Sequence, residues 1–378
     1  MNKIKFYFIA LMATIAISSC NKDDDNDVEV TPPRDYATQY ATDIAAIENY
    51  LKTSYISEIV DAPGTPEDQD VTIKKIPDGE SHPSLWSYLD SPTLPRLTSR
   101  NAKYGDVTYK IYTLVIREGI KGGTTSSGGE YPCNLDGVFA GYKGTLLDGK
   151  VFDSSNNGQN LWNLDGSKHD GGSGAIRGWS EGFPQFKTGW ISSSTDGDGT
   201  ARYNDFGVGV MFLPSALGYY NEPYGDIPAY SPLVFSIKLY GVKRYDHDAD
   251  GIPSYLEDVG ADHDRYMYYF AAGVPNPDDT DGDGIPDFAD FDDDGDGYAT
   301  RGEIKDANGK YYPYGAIEDD PLTTIDESYG IPRKYTGPLT NPSLPESETN
   351  PRKSDPSDFR DPKRLRRHLD PNCHDMSK

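Results

Sequence analysis

The chain has 378 residues, of which only 35% are hydrophobic, and it carries Gly 39, Pro 28 and Tyr 28. That leaves room for one medium domain with appendages, built on turns and amphipathic aromatics rather than on a helical bundle. A formal net charge of -25 excludes nucleic acid and anionic membrane surfaces as partners and makes divalent cations the natural counter-ligands.

At the N-terminus, Lys3 and Lys5 precede an apolar run from Phe6 to Ile17, which ends in small residues before Cys20. The run is too short to span a bilayer comfortably and has the layout of an export signal. Residues 1–19 followed by Cys20 resemble the lipobox of bacterial lipoproteins, which implies lipidation of Cys20 and a membrane anchor through that lipid. An ordinary cleaved signal with a chance cysteine is the other reading. The NKDDDND after Cys20 is similar to signals that direct lipoproteins to the outer membrane, on its periplasmic or cell-surface face. Residues 20–35 are acidic and contain proline, which predicts a flexible tether. Beyond Cys20 only Cys133 and Cys373 remain, far apart in sequence, and they either pair or stay as thiols.

Within residues 36–106, Tyr40, Ile44, Ile47 and Leu51 recur at helical spacing and predict an amphipathic packing helix; the rest of the segment reads as irregular. From Val107 the period changes to two, with Val107, Tyr109, Ile111, Thr113 and Val115 on one face. Near the other end of the segment, Leu233, Phe235, Ile237 and Leu239 share a face opposite Ser236 and Lys238. Both stretches predict strands with one buried face. Turn-rich sequence fills the interval apart from one short candidate helix at GWSEGFPQF. Residues 107–243 therefore predict an antiparallel sheet with a single small helix. The last segment, 306–378, is rich in Pro, Asp and Ser around a basic KRLRRH cluster and predicts an extended tail, whose basic patch could lie against acidic surface.

Between them, residues 244–305 repeat one acidic spacing. Asp246, Asp248 and Asp250 precede Gly251 and Ile252, with Glu257 in the twelfth place. Asp279, Asp281 and Asp283 precede Gly284 and Ile285, followed by Asp287 and Asp290. Asp292, Asp294 and Asp296 precede Gly297 and Tyr298, with Glu303 in the twelfth place. A calcium ion takes about six to eight oxygens, so alternate carboxylates, a glycine turn, the next carbonyl (Ile252, Ile285, Tyr298) and a late carboxylate make a calcium loop. Pro253 and Pro286 and the nearby strand argue against helix-flanked loops. The DGIPD wording instead resembles thrombospondin type 3 repeats, which implies structural calcium whose binding free energy supplies folding. Asp196–Gly199, another DGDG, lacks the later carboxylates and reads as a loop.

No GxSxG or HExxH motif accompanies the six His residues, so nucleophilic and zinc-dependent catalysis find no support in the sequence. The aromatic and apolar residues say more. GYKGTLLDGKVFDSS, AIRGWSEGF, FLPSALGYY and IPAYSPLVFSIKL stand in the order and approximate spacing of the FKBP-type peptidyl-prolyl isomerases, over about 135 residues, and together resemble that family. The resemblance implies an α+β, mainly β fold: a curved antiparallel sheet around one short helix, preceded by the N-terminal helix and followed by the calcium-bound, loop-rich extension.

It also implies an apolar pocket for a proline ring. Trp179 would floor it, Tyr142, Phe152, Ile227 and Phe235 would line it, and Ile176 would hold the substrate carbonyl through its N–H. Tyr219 would bring a hydroxyl near the peptide and Asp153 a buried carboxylate beside Tyr142. No catalytic cofactor is implied, and the partners would be proline-containing exported polypeptides. Three positions depart from the family pattern: Asn160 stands where an aromatic is usual, Ala175 replaces a Val-like residue, and an insertion fills 190–209. A Pro-binding module without catalysis, or a calcium-stabilised surface lipoprotein, are the alternatives.

Overall fold

The computed structural model describes residues 32–122, 128–156, 158, 160–192, 202–260, 263–306, 308–313, 330–347, 349–360 and 364–373. The export signal, Cys20, most of the tether and the Asp196–Gly199 loop lie outside the described residues.

From residue 36 the chain enters helix α1 (Tyr36–Thr53), then strands β1 (Ser54–Ile59) and β2 (Val71–Lys75), which pair as an antiparallel hairpin. The main sheet is built from β3 (Arg96–Tyr104), β4 (Val107–Arg117), β5 (Gly137–Leu146), β6 (Val151–Ser155), β7 (Leu161–Asn163), β8 (Ser173–Gly174), β11 (Gly207–Leu213) and β12 (Leu233–Lys243). Its order is β3-β4-β11-β12-β5-β7-β8, with β6 paired to β5, and it is antiparallel except for β7 with β8. The fold is thus mainly β, with few helices and a curved sheet. Among the described residues, no helix is long and apolar enough to cross a membrane.

The sequence predicts one buried face for the long strands, but both faces are covered. On β12, Leu233, Phe235, Ile237 and Leu239 enter one core, and Val234 and Tyr240 enter another. On β4, Tyr109, Ile111 and Val115 face the first core while Tyr112 and Leu114 face the second. The second core is closed by Ile47 and Leu51 of α1, Val71 of β2 and Leu85. Lys238 is consequently buried, with Nζ donating to the Pro66 carbonyl at 2.7 Å and standing 2.5 Å from Asp70. Strand β3 also lies within the segment expected to be irregular. Its polar RLTSRNAKY sequence suits a sheet edge, where only Leu97 and Ala102 turn inward.

Helix α2 (Arg177–Gly182) crosses the first core and continues as a 3-10 turn, Phe183–Gln185. Its glycines are needed for close approach: a Cβ on Gly178 would lie 2.5 Å from Leu213 Cδ1, and one on Gly182 would collide with Met211 Sδ. The inserted segment forms a small hairpin from β9 (Trp190–Ser192) and β10 (Arg202–Asn204), with Tyr203 stacked on Tyr240 at 4.5 Å.

The expected extended tail is instead packed where it is described. Ile331 is fully buried with Ile252 and Ile304, the latter just after helix α3 (Thr300–Glu303). Arg367 and His368, from the basic cluster, are each 1% exposed, and Arg367 lies over the Tyr335 ring at 4.4 Å. The Arg367 guanidinium, close enough to Glu303 to favour its charged form, offsets part of the acidic segment's self-repulsion, which an isolated tail composition does not show. Cys133 and Cys373 are both buried and are not joined in a disulfide. Cys133 packs with Leu135, Met267 and Phe288 beneath the acidic segment.

Candidate functional site

The pocket residues expected from sequence come from separate elements. Tyr142 sits on β5, Phe152 and Asp153 on β6, Ile176 and Trp179 at the start of α2, Tyr219 and Ile227 on the loop between β11 and β12, and Phe235 on β12. All of them line one cavity of about 410 Å³. Its floor is a herringbone of rings: Trp179 meets Tyr142 edge-on at 5.0 Å and Phe235 at 5.3 Å, and Phe152 meets Phe235 at 5.5 Å. These offset contacts match the aromatic quadrupoles and hold the ring planes in fixed orientations. Gly144 makes room for Phe152, because a Cβ there would fall against that ring.

Two polar features enter this apolar site. Tyr142 Oη donates to Asp153 Oδ2 at 2.6 Å, while Asp153 Oδ1 accepts from Ser154 N at 2.8 Å. Burial, and then the carboxylate it touches, hold the Tyr142 hydroxyl above the ordinary tyrosine range, so it stays a proton donor. Ile176 is the N-cap residue of α2, in extended conformation, and its carbonyl accepts from Trp179 N at 2.9 Å. Its own N–H has no acceptor among the described residues. Tyr219 stacks on Tyr224 at 4.5 Å with nearly parallel rings, and burial also raises its hydroxyl.

Sequence reasoning missed part of the lining. Trp162 joins the cavity and meets Trp179 at 5.2 Å, and Tyr224 completes the far rim. Asn160 lies outside it, with Nδ2 donating to Ser155 Oγ at 3.2 Å. The alternation Asn160, Leu161, Trp162 placed an indole two residues from the expected aromatic, and that offset was the available signal.

In the acidic segment, all three loops share one hydrogen-bond pattern. The first Asp carboxylate accepts from the glycine N–H five residues on: Asp246 from Gly251 at 3.1 Å, Asp279 from Gly284 at 3.0 Å, and Asp292 from Gly297 at 2.8 Å. The third Asp accepts from the residue after that glycine: Asp250 from Ile252 at 2.6 Å, Asp283 from Ile285 at 2.8 Å, and Asp296 from Tyr298 at 2.8 Å. Each glycine has φ in the left-handed region, +108°, +101° and +88° respectively, which favours glycine there.

Asp279, Asp281 and Asp283 converge within 4.8 Å, as do Asp292, Asp294 and Asp296. The first loop behaves differently. Asp248, Asp250 and Glu257 converge with Asp293, a residue of the third loop that its own spacing marks as a non-ligand; Asp246 is not in that group. Glu257 and Asp293 are each 2% exposed, and neither carboxylate oxygen of either residue has a hydrogen-bond partner among the described residues. Burial, and then the neighbouring carboxylates, push Glu257 up to about 11 and Asp293 to about 10. Glu303 is likewise buried with both oxygens unpartnered, beside Asp294 and Asp296, and is raised to about 9. Unpaired buried carboxylate oxygens are costly and fit a hard cation that takes oxygen ligands. In the second loop, Asp287 instead accepts from Thr280 N at 2.8 Å and Thr280 Oγ1 at 2.7 Å, and Asp290 accepts from Asp292 N at 3.0 Å. Neither joins the Asp279 cluster, because the chain has already turned into the third loop.

A stretch of 117 residues is 35% identical to the FKBP-type peptidyl-prolyl cis-trans isomerase FkpA of Escherichia coli, strain K12, covering 30% of this chain and 34% of that protein. This is partial homology to FKBP-type isomerases. FkpA of E. coli O157:H7 matches to the same extent, so the chain spans about a third of the length of these curated relatives. Among solved structures, a peptidyl-prolyl isomerase from Pseudomonas syringae aligns at 25% identity over 38% of this chain and 80% of that one, with TM-score 0.26. The structure of E. coli FkpA aligns at 31% identity over 35% and 48%, with TM-score 0.25. The acidic segment, likened by sequence to thrombospondin type 3 repeats, is matched over residues 247–325 by the family BamM C-terminal.

Proposed function

We propose that this protein is a peptidyl-prolyl cis-trans isomerase that acts on X-Pro bonds of exported polypeptides, with its acidic segment folded around calcium. The observation that carries the first half is the aromatic cavity floored by Trp179, in which Tyr142 bonded to Asp153 and the free Ile176 N–H are the polar groups the mechanism uses. Rotation about a peptide C–N bond faces a barrier of about 18–20 kcal/mol, set by amide resonance. Twisting the bond localises the nitrogen lone pair and weakens the carbonyl dipole. A dry cavity shaped for the twisted prolyl conformer therefore lowers the barrier without covalent chemistry. Ile176 N–H holds the substrate carbonyl, Tyr219 supplies a hydroxyl at the rim, and Asp153 positions Tyr142. The partial homology to FkpA supports the same reading.

The test is an isomerisation assay on short X-Pro peptides with the full chain and with Phe152→Ala plus Trp162→Ala. Acceleration lost in the double variant supports the enzyme. No acceleration by a folded wild-type chain that still binds the peptides would leave a Pro-segment binding module.

For the calcium half, the supporting observation is the set of buried, unpartnered oxygens on Glu257, Asp293 and Glu303. Calcium would remove their mutual repulsion, so that binding free energy becomes folding free energy. Calorimetric titration of the chelated protein tests it, and absence of a heat of binding would overturn it. Anchoring at Cys20 and a place in the bacterial envelope rest on the leader sequence. Mass analysis of the mature N-terminus for a lipid adduct checks that step.

A further inference from the structure

At the edge of the first acidic loop, the fold brings His247 of that loop to an aspartate and a histidine from a distant part of the chain. Asp165 and His169 sit on the loop between β7 and β8, and His247 follows β12 at the entry to the acidic segment. Asp165 Oδ2 lies 3.4 Å from His169 Nε2 and 3.6 Å from His247 Nε2, and one ligand atom from each of the three residues falls within 4.8 Å of the others. Around a tetrahedral zinc ion with bonds of about 2.0–2.2 Å, neighbouring ligand atoms are about 3.3–3.6 Å apart. The two measured separations are those of such a site.

Each side chain is also held by a second group. His247 Nδ1 is 2.9 Å from Ser254 Oγ, which leaves Nε2 as the ligand atom. The His169 ring packs edge-on against Tyr245 at 4.3 Å, and its Nε2, shielded from solvent, makes no hydrogen bond among the described residues. Asp165 accepts from Ser167 N at 3.0 Å and Ser167 Oγ at 2.6 Å. Outer partners of this kind fix ring orientation and ligand basicity at metal centres.

We propose that Asp165, His169 and His247 form a three-ligand site for a divalent transition metal of the zinc class. Two imidazoles with one carboxylate suit that class, whereas calcium takes oxygen ligands and belongs to the neighbouring loops. Three protein ligands leave the fourth position of a tetrahedral ion open to water or to a donor from another molecule. Lys168 of the same loop and Ser173, the first residue of β8, line the proline cavity. The bound ion therefore clips the rim of that cavity to the first residues of the acidic segment.

Cobalt(II) titration of the tag-free full chain, in saturating calcium, tests this. The expected result is one equivalent bound with the visible absorption of a four-coordinate ion. His169→Gln and His247→Gln should each abolish that absorption and weaken binding more than tenfold, and Ser254→Ala should weaken it about tenfold through His247 alone. His82→Gln, at the histidine beside Glu80, should leave it intact. Circular dichroism separates loss of the site from loss of the fold, and Ser254→Ala provides a folded variant if the histidine variants fail. No cobalt bound by the wild-type chain, or binding unchanged in the histidine variants, overturns the site.

Discussion

Tyr268 Oη lies 2.9 Å from Glu181 Oε2, so a tyrosine on the way into the acidic segment bonds the carboxylate of the helix that floors the cavity. Glu181 is fully buried and also meets Arg100, on edge strand β3, and Arg177, one turn earlier at 2.6 Å. Beside it, Tyr266 Oη donates to the Glu181 carbonyl at 2.9 Å, and Arg265 Nε donates to the Pro184 carbonyl at 3.1 Å. The edge strand, the pocket helix and the approach to the acidic loops thus share one charge.

Glu181→Gln keeps the shape but leaves two guanidinium groups facing a neutral amide. Removing one partner of a buried pair typically costs about 3–5 kcal/mol. Denaturant unfolding should show a loss of that order, and the proteolytic sensitivity of residues 263–270 should rise with it. An unchanged midpoint would mean that Arg100 and Arg177 find other partners.

At the pocket, Tyr142→Phe deletes only the hydroxyl bonded to Asp153. Because Asp153 is exposed on the short strand β6, not buried as the family resemblance implied, the stability loss should be small, about 1 kcal/mol. If that hydroxyl positions the site, the isomerase rate should nevertheless fall roughly tenfold. Peptide assays beside thermal melts separate these two quantities.

Asp293→Asn should act with opposite signs in the presence and absence of calcium. The chelated protein keeps the Asp293 carboxyl protonated up to about 10, beside Asp248, Asp250 and Glu257, whereas the unfolded chain ionises it near 3.8; the amide removes that cost and should stabilise the chelated protein at neutral pH. In calcium the same change removes an oxygen ligand and should weaken binding roughly tenfold. Calorimetry and melts with and without chelator read both effects. A variant that weakens calcium binding without stabilising the chelated state would place Asp293 outside the repulsive cluster.

Burial, and then Arg366 and Arg367, press His368 from 6.5 down to about 3. The unfolded chain therefore binds a proton that the folded chain refuses between those values, so the contribution to stability is fully present above pH 6.5 and is lost as pH falls. The loss should approach about 2 kcal/mol by pH 5, at about 1.4 kcal/mol per unit. Hydrogen exchange of residues 364–373 in saturating calcium should accelerate on acidification, and His368→Gln should flatten that response.

Much of this architecture was legible in the sequence where side-chain period and burial coincide. The helix bearing Ile47 and Leu51, the alternating faces of β4 and β12, and the pocket residues around Trp179 all follow from spacing or from the family resemblance. Strand β3 stayed hidden because an edge strand of Arg, Ser, Asn and Lys carries little hydrophobic alternation. The placement of Asp293 was hidden for another reason: local spacing groups residues within a loop, whereas this carboxylate converges with Asp248, Asp250 and Glu257 of the neighbouring loop. The tail was misread because its stability comes from Ile331 and Arg367 meeting distant residues, and composition records none of that.

Asp43 was equally illegible as a polar residue on the buried side of α1. Its Oδ2 accepts from Ser215 N at 2.8 Å and Ser215 Oγ at 2.6 Å, and its Oδ1 accepts from Gln39 Nε2 at 2.6 Å. Asp43→Ala would orphan those donors at about 1–3 kcal/mol for each buried group. Loosening of the loop that leads to Tyr219 should appear in hydrogen exchange before global unfolding.

Helix α2 has six residues, and two of them are the glycines pressed against Leu213 and Met211. A segment that short, with that composition, cannot nucleate by itself, since isolated helices below about 12–15 residues are marginal even when rich in alanine. It acquires its shape from the wall it leans on, so strands β11 and β12 must be assembled before Trp179 has a place to stand. The cavity is then among the last features to form on refolding, and a half-assembled copy lacks it. Stopped-flow refolding checks that order: burial of Trp179 should lag behind formation of the sheet.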